Sequence, residues 1–257
     1  MTDMGNLWWR ASLGGALVLV LAGSVAAQEL GETKETYMQR AKGQVEANLR
    51  LTPNTRKARN VILFVGDGMG VTTVTAARIL DGQMQGMKGE ENALSFELFP
   101  YLAHSKTYQH NQQVPDSAPT MTALVTGSKA NDGMLSIAPN VLSNDDWEAA
   151  LKPENRLTSL LEQAEERGMW TGVVSTATVT HATPGACYAH TPNRGWESDA
   201  DLPPDAVAGG FPDIARQLLE VRIKPVTMNG KPSPGLEVVL GGGRAYFLRF
   251  DETDPEA

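Results

Sequence analysis

Residues 61–65 read Val-Ile-Leu-Phe-Val and run directly into Gly66-Asp67-Gly68-Met69-Gly70. Five consecutive apolar residues, with Val61, Ile62 and Val65 β-branched, have the pattern of a strand buried on both faces of a parallel sheet. A sheet of that kind is covered by helices on both sides, which commits the chain to a layered α/β architecture. The glycines around Asp67 permit a sharp turn and a close approach of ligand to backbone. Ligands of open α/β sheets bind beyond the carboxyl ends of the strands. Asp67 is therefore either a metal ligand or a residue of the strand-to-helix turn.

The rest of the chain supports the α/β reading. Helices are expected around 36–50, 71–80, 118–126 (stopped by Gly127), 157–167 (stopped by Gly168) and 211–220. Strands are expected at 101–108, 170–175 and 236–240, the last running into Gly241-Gly242-Gly243. Residues 82–92 read as a polar surface loop, and 109–113 as a polar stretch connecting the strand to Val114-Pro115-Asp116-Ser117. No repeat, low-complexity tract or second domain is evident.

With 257 residues, 41% of them hydrophobic, the chain can build one sizeable core. Its net charge of -8 excludes a nucleic-acid footprint but not a small anionic substrate, because a bound metal reverses the local field. Residues 1–27 are expected to be a signal peptide: Arg10 precedes an apolar stretch over 11–23, and Val25-Ala26-Ala27 offers small residues for cleavage. An uncleaved anchor is the rival, but the apolar core is short for a membrane span. Export to the periplasm or beyond follows. Cys187 is the single cysteine, so no intrachain disulfide can form, and it reads as a buried core residue.

Three further segments carry chemistry. Asp116-Ser117-Ala118 lies where a loop enters a helix; its serine would face unpaired amides and the positive end of the dipole, or the pair is an ordinary N-cap. The G-x-S-x-G elbow is absent and no histidine adjoins Ser117, so a nucleophilic serine here would need activation by a metal. His181 and Thr183, within Ser175 to Pro184, follow a strand and could serve a hard cation, or they belong to a Ser/Thr-rich turn. Arg194 offers a planar fork for two phosphate oxygens, or is a surface arginine.

Together these segments resemble the alkaline phosphatase family. The resemblance rests on Val65-Gly66-Asp67-Gly68-Met69-Gly70, on Pro115-Asp116-Ser117-Ala118 with Thr120, Thr122 and Ala123, on His181-Ala182-Thr183-Pro184 followed by Arg194, and on Leu240-Gly241-Gly242-Gly243-Arg244. It implies a three-layer α/β/α sandwich with a mostly parallel central sheet over residues 28–257, incomplete at the carboxyl end. It implies two zinc ions and one magnesium in the complete enzyme. Asp67 would bridge zinc and magnesium, Ser117 would be the zinc-bound nucleophile that becomes phosphoserine, Thr183 would contact magnesium, and His181 would sit beside it. Arg194 would hold two phosphate oxygens, with Asp116 orienting it. Pro119 is less usual at its position but falls in the first helical turn, where proline is tolerated. The implied substrate is a small phosphomonoester. No nucleic-acid partner and no stable membrane anchor are expected, and the complete enzyme would be a homodimer.

The sequence departs from the family pattern at its end. The family's later ligands, a glutamate for magnesium, an Asp and two His for the outer zinc and an Asp-His pair for the inner one, have no counterpart before Ala257. The histidines are His104, His110, His181 and His190. A catalytic zinc takes three protein ligands, and the inner site has at most Asp67 and Ser117. The chain thus reads as an amino-terminal portion of a phosphatase with little or no activity alone and with uncovered sheet edge and apolar surface. The alternatives are a phosphodiesterase or sulfatase with a related metal core, and a non-catalytic product that binds metal or phosphate.

Overall fold

The computed structural model describes residues 33–52, 55–220, 235–248 and 252. The expected signal peptide lies outside the described residues. The described residues fall into two compact units, one within 1–61 and 70–102 and the other within 62–69 and 103–257.

The first unit holds α1 (Lys34–Leu49) and α2 (Val71–Met84). Helix α1 buries none of its residues, consistent with its charged sequence and its lack of an apolar stripe. Helix α2 outruns its expected end at residue 80 because Gly82 packs on the backbone of Gly89, where a Cβ would approach to 2.6 Å. Asn92 closes the returning chain, donating to the main chain of Arg78 at 3.0 Å and to Asp81 at 2.8 Å.

The second unit contains α3 (Ser117–Thr126), α4 (Trp147–Leu151), α5 (Leu160–Glu166), β1 (Gly172–Thr178), α6 (Ala182–Gly185), α7 (Pro204–Ala208), α8 (Ile214–Glu220) and β2 (Val238–Gly242). Strands β1 and β2 pair in parallel, Gly172 opposite Val238 and Val174 opposite Leu240, and among the described residues they form the whole sheet. Helices with a parallel sheet make this an α/β protein, as the alternation of apolar runs implies.

Two expected strands are absent. Residues 61–65 form no ladder and are exposed, Phe64 to 90%, and residues 101–108 form none either. An apolar run becomes a buried strand only when paired strands and covering helices remove it from water, and the described residues offer 61–65 neither. Helix starts also shift for local reasons. Helix α5 begins at Leu160 because Ser159 and Glu162 form a capping box, and α8 begins at Ile214 because Asp213 accepts from the Arg216 amide at 2.7 Å.

Helix α3 positions the site. Of its buried residues, Ala118, Met121, Thr122 and Val125 lie on one face at i, i+3, i+4 and i+7, and Pro119 is buried beside them. Ala118 meets a core that includes Ala182, Ala186 and Ala189, so small side chains let α3 and α6 approach closely. Gly127 ends α3 at φ 77°, a left-handed residue that glycine adopts without strain. A second core packs Met134, Ile137, Ala150 and Trp196, with the Trp196 and Phe211 rings edge-to-face at 5.4 Å.

Candidate functional site

Asp116 is the N-cap of α3, and its two carboxylate oxygens divide the work. Oδ2 accepts from the Ala118 amide at 3.1 Å, while Oδ1 pairs with Nη1 of Arg194. Ser117 opens the helix, and its Oγ accepts from the same Arg194 Nη1 at 2.8 Å. The other terminal nitrogen of Arg194 donates to His181 Nε2 at 3.0 Å. One guanidinium therefore gathers Asp116, Ser117 and His181, three residues from two separate segments of sequence. The ion pair is partly exposed, at 30% for the Arg194 side chain and 24% for Asp116.

Arg194 reaches this point through its own backbone. Its amide donates to the Gly133 carbonyl at 2.8 Å, and Thr191 and Leu135 exchange two 3.0 Å bonds in a short antiparallel bridge. Asn144 ties the carbonyls of Asp132 and Pro192 together at 2.9 and 2.8 Å. Gln109, at the start of the polar connecting stretch, is buried; it accepts from the Asp116 amide at 3.0 Å and donates to Asp132 at 2.8 Å. A buried glutamine with both ends paired fixes the cap from below. No periodicity marks it in the sequence.

His181 follows the end of β1, its amide held by the Thr178 carbonyl at 3.1 Å, and it caps the short helix α6. If Arg194 donates to Nε2, the ring proton sits on Nδ1, which is buried without a partner. Two residues on, Thr183 Oγ1 donates to Asp67 Oδ2 at 2.9 Å. Asp67 sits in a turn closed by a 3.4 Å bond from the Met69 amide to the Gly66 carbonyl, and Gly68 there adopts φ 67°. Asp67 and Thr183 thus meet although residues 61–65 form no strand.

The metal readings divide on donor chemistry. Asp67 and Thr183 present two hard oxygens within hydrogen-bond distance. That set fits magnesium, which binds through one or two carboxylates and keeps several waters. Zinc is different. Among the described residues no three His, Cys, Asp or Glu side chains converge on a metal-sized point. Asp67 and Ser117 do not by themselves make a catalytic zinc site.

His190 is not in this constellation. It is buried, with Nε2 2.9 Å from Glu162 and Nδ1 3.0 Å from the Ser136 carbonyl. Burial pushes the Glu162 carboxyl up, but the hydrogen bond and charge of His190 and the bonds from Ser159 outweigh it and hold the group below its usual range. Cys187 is buried, and that burial pushes its thiol up to about 12. It is a core residue, not an activated nucleophile.

The fold and these side chains define an α/β protein in which a helix-borne serine faces a guanidinium at the amino end of its helix. The chain belongs to the alkaline phosphatase family, whose profile matches residues 58–257. It is 44% identical over 241 residues to the tissue-nonspecific alkaline phosphatase of Gallus gallus, a match covering 93% of this chain and 44% of that protein. Against the alkaline phosphatase of Gadus morhua it is 46% identical over 205 residues, covering 80% and 40% respectively. The chain thus spans less than half the length of these relatives. A cold-active alkaline phosphatase from Shewanella sp. aligns at 29% identity with a TM-score of 0.49, over 72% of this chain and 36% of that one. No helix among the described residues is long and apolar enough to cross a membrane.

Proposed function

We propose that this chain carries the phosphoryl-binding part of an exported phosphomonoesterase that works through a phosphoserine at Ser117. The observation that carries the reading is the Arg194 guanidinium, which reaches Ser117 Oγ while anchored on Asp116. A fork held in this way can present donors to two non-bridging oxygens of a phosphate and stabilise the charge that spreads over them during transfer. The α3 amino terminus adds a positive dipole end at the same point.

Ser117 Oγ would attack phosphorus as the ester P–O bond breaks. The alcohol leaves with a proton, and water then attacks the phosphoserine to release phosphate and restore the hydroxyl. Bound metal would supply Lewis-acid stabilisation and favour the deprotonated nucleophile. Arg194 donating to Oγ favours that anionic form in the same direction. Asp67 and Thr183 would hold magnesium, with His181 beside them. Zinc would need donors in addition to Asp67 and Ser117, as expected for two zinc ions in the complete enzyme, which would be a homodimer free of nucleic acid and of a stable membrane anchor.

A monoester offers Arg194 two free oxygens and a diester does not, so substrate class is testable. With residues 58–257 joined to the carboxyl-terminal half of a relative, p-nitrophenyl phosphate should be hydrolysed far faster than its bis-ester, and Ser117→Ala should abolish turnover. Preference for the bis-ester, or activity that survives Ser117→Ala, would overturn the proposal.

A further inference from the structure

The segments that bear the site meet at one buried residue, Ser136. Its amide donates to Thr122 Oγ1 on α3 at 2.9 Å, and its hydroxyl donates to the Ala186 carbonyl, just after α6, at 2.8 Å. Its carbonyl accepts from the Leu157 amide at 2.9 Å and faces His190 Nδ1 at 3.0 Å. Ser136 has φ 47°, a left-handed conformation that a non-glycine residue keeps only where its surroundings hold it. From there the short ladder runs through Leu135 and Thr191 to the bond from the Arg194 amide to Gly133. His190 closes one end of this ladder and Arg194 emerges from the other.

The His190 ring is held at both nitrogens, Nδ1 against the Ser136 carbonyl and Nε2 against Glu162. Glu162 is itself held in place, since Ser159 donates its amide to Oε2 at 2.6 Å. From α8 the facing group is neutral: Gln217 accepts the His190 amide at 2.8 Å and donates to its carbonyl at 3.2 Å. Glu162, on α5, is the charged side chain in contact with the ring. A buried ring bonded at both nitrogens makes a latch that loses its hold if either partner is removed.

We infer that His190, bridging the Ser136 carbonyl and Glu162, latches the 133–136 segment to the 190–194 segment and so positions Arg194 against Ser117. The function of this latch rests on the reading of Arg194 as the phosphate clamp. His190 does not touch the substrate; it is a positioning residue acting through Ser136 and the ladder.

The test uses the 257-residue chain, with inorganic phosphate as the probe. His190→Gln should weaken phosphate binding, followed by ³¹P NMR, on the order of tenfold, the scale typical of outer-shell partners. That loss should occur well below the melting temperature, where a purely structural role would leave affinity unchanged. If His190→Gln does not fold, Glu162→Gln carries the same test, since it keeps an acceptor of the same shape and removes the charge. Arg194→Ala separates the two readings. Phosphate binding lost in Arg194→Ala but unchanged in the latch variants overturns the latch and leaves the clamp standing, whereas binding unchanged in Arg194→Ala overturns both.

Discussion

Arg194 makes four distinct commitments: its amide to Gly133, its guanidinium to Asp116, to Ser117 and to His181. A lysine could replace the charge but not the fork. Arg194→Lys should therefore weaken phosphate binding about tenfold or more while leaving thermal stability nearly unchanged, as phosphate titration and a melting curve would show. Cys187 offers a second test at this scale. With its thiol pushed up to about 12 by burial, it should resist iodoacetamide at mildly alkaline pH and react once the chain is unfolded. Rapid labelling of the native chain would contradict its place in the core. Ser117, Asp116 and Arg194 could be picked out in the sequence because a loop-to-helix Asp-Ser and a later arginine match a pattern. Gln109 and Ser136 could not, since their importance lies in which distant amides and carbonyls the fold brings to them.

Helix α5 shows how an element conveys chemistry to the site without entering it. Ser159 and Glu162 cap it reciprocally, and Glu162 then pairs with His190. Because the folded protein holds the Glu162 carboxyl below its usual range, the stability this carboxylate contributes is complete at neutral pH. It is lost as pH falls below the ordinary glutamate range and through the depressed folded value. Urea titrations should show stability falling over that acid window, with Glu162→Gln less stable at neutral pH and flatter below it; parallel curves for the two proteins would refute the assignment. The S-x-x-E signature at Ser159 and Glu162 was present in the sequence, and reading it places the helix start three residues later than apolar periodicity does. Helix α3 was legible almost to the residue, since its apolar face, its Asp cap and its Gly127 stop all agree. Residues 61–65 were not, because their strand pattern depends on partners that local sequence cannot supply.

On the scale of the whole molecule, apolar surface stands open. Val61, Ile62 and Phe64 are exposed, as are Trp170, Val174 and Leu240 beside or within the sheet. Patches of this kind drive association, so the 257-residue chain should aggregate with rising concentration and bind a hydrophobic dye, which light scattering and fluorescence would reveal. With zinc and magnesium added, that chain alone should hydrolyse p-nitrophenyl phosphate little or not at all. Zinc-dependent turnover abolished by Ser117→Ala would contradict the count of metal donors. The central claim is that Ser117, faced by Arg194, receives the phosphoryl group. Its most direct test is peptide mass spectrometry after acid quenching of a turnover mixture of residues 58–257 joined to a relative's carboxyl-terminal half. One phosphoryl group is expected on the peptide containing Ser117, absent in Ser117→Ala; turnover with no phosphorylated peptide, or with the phosphoryl group on another peptide, would contradict this.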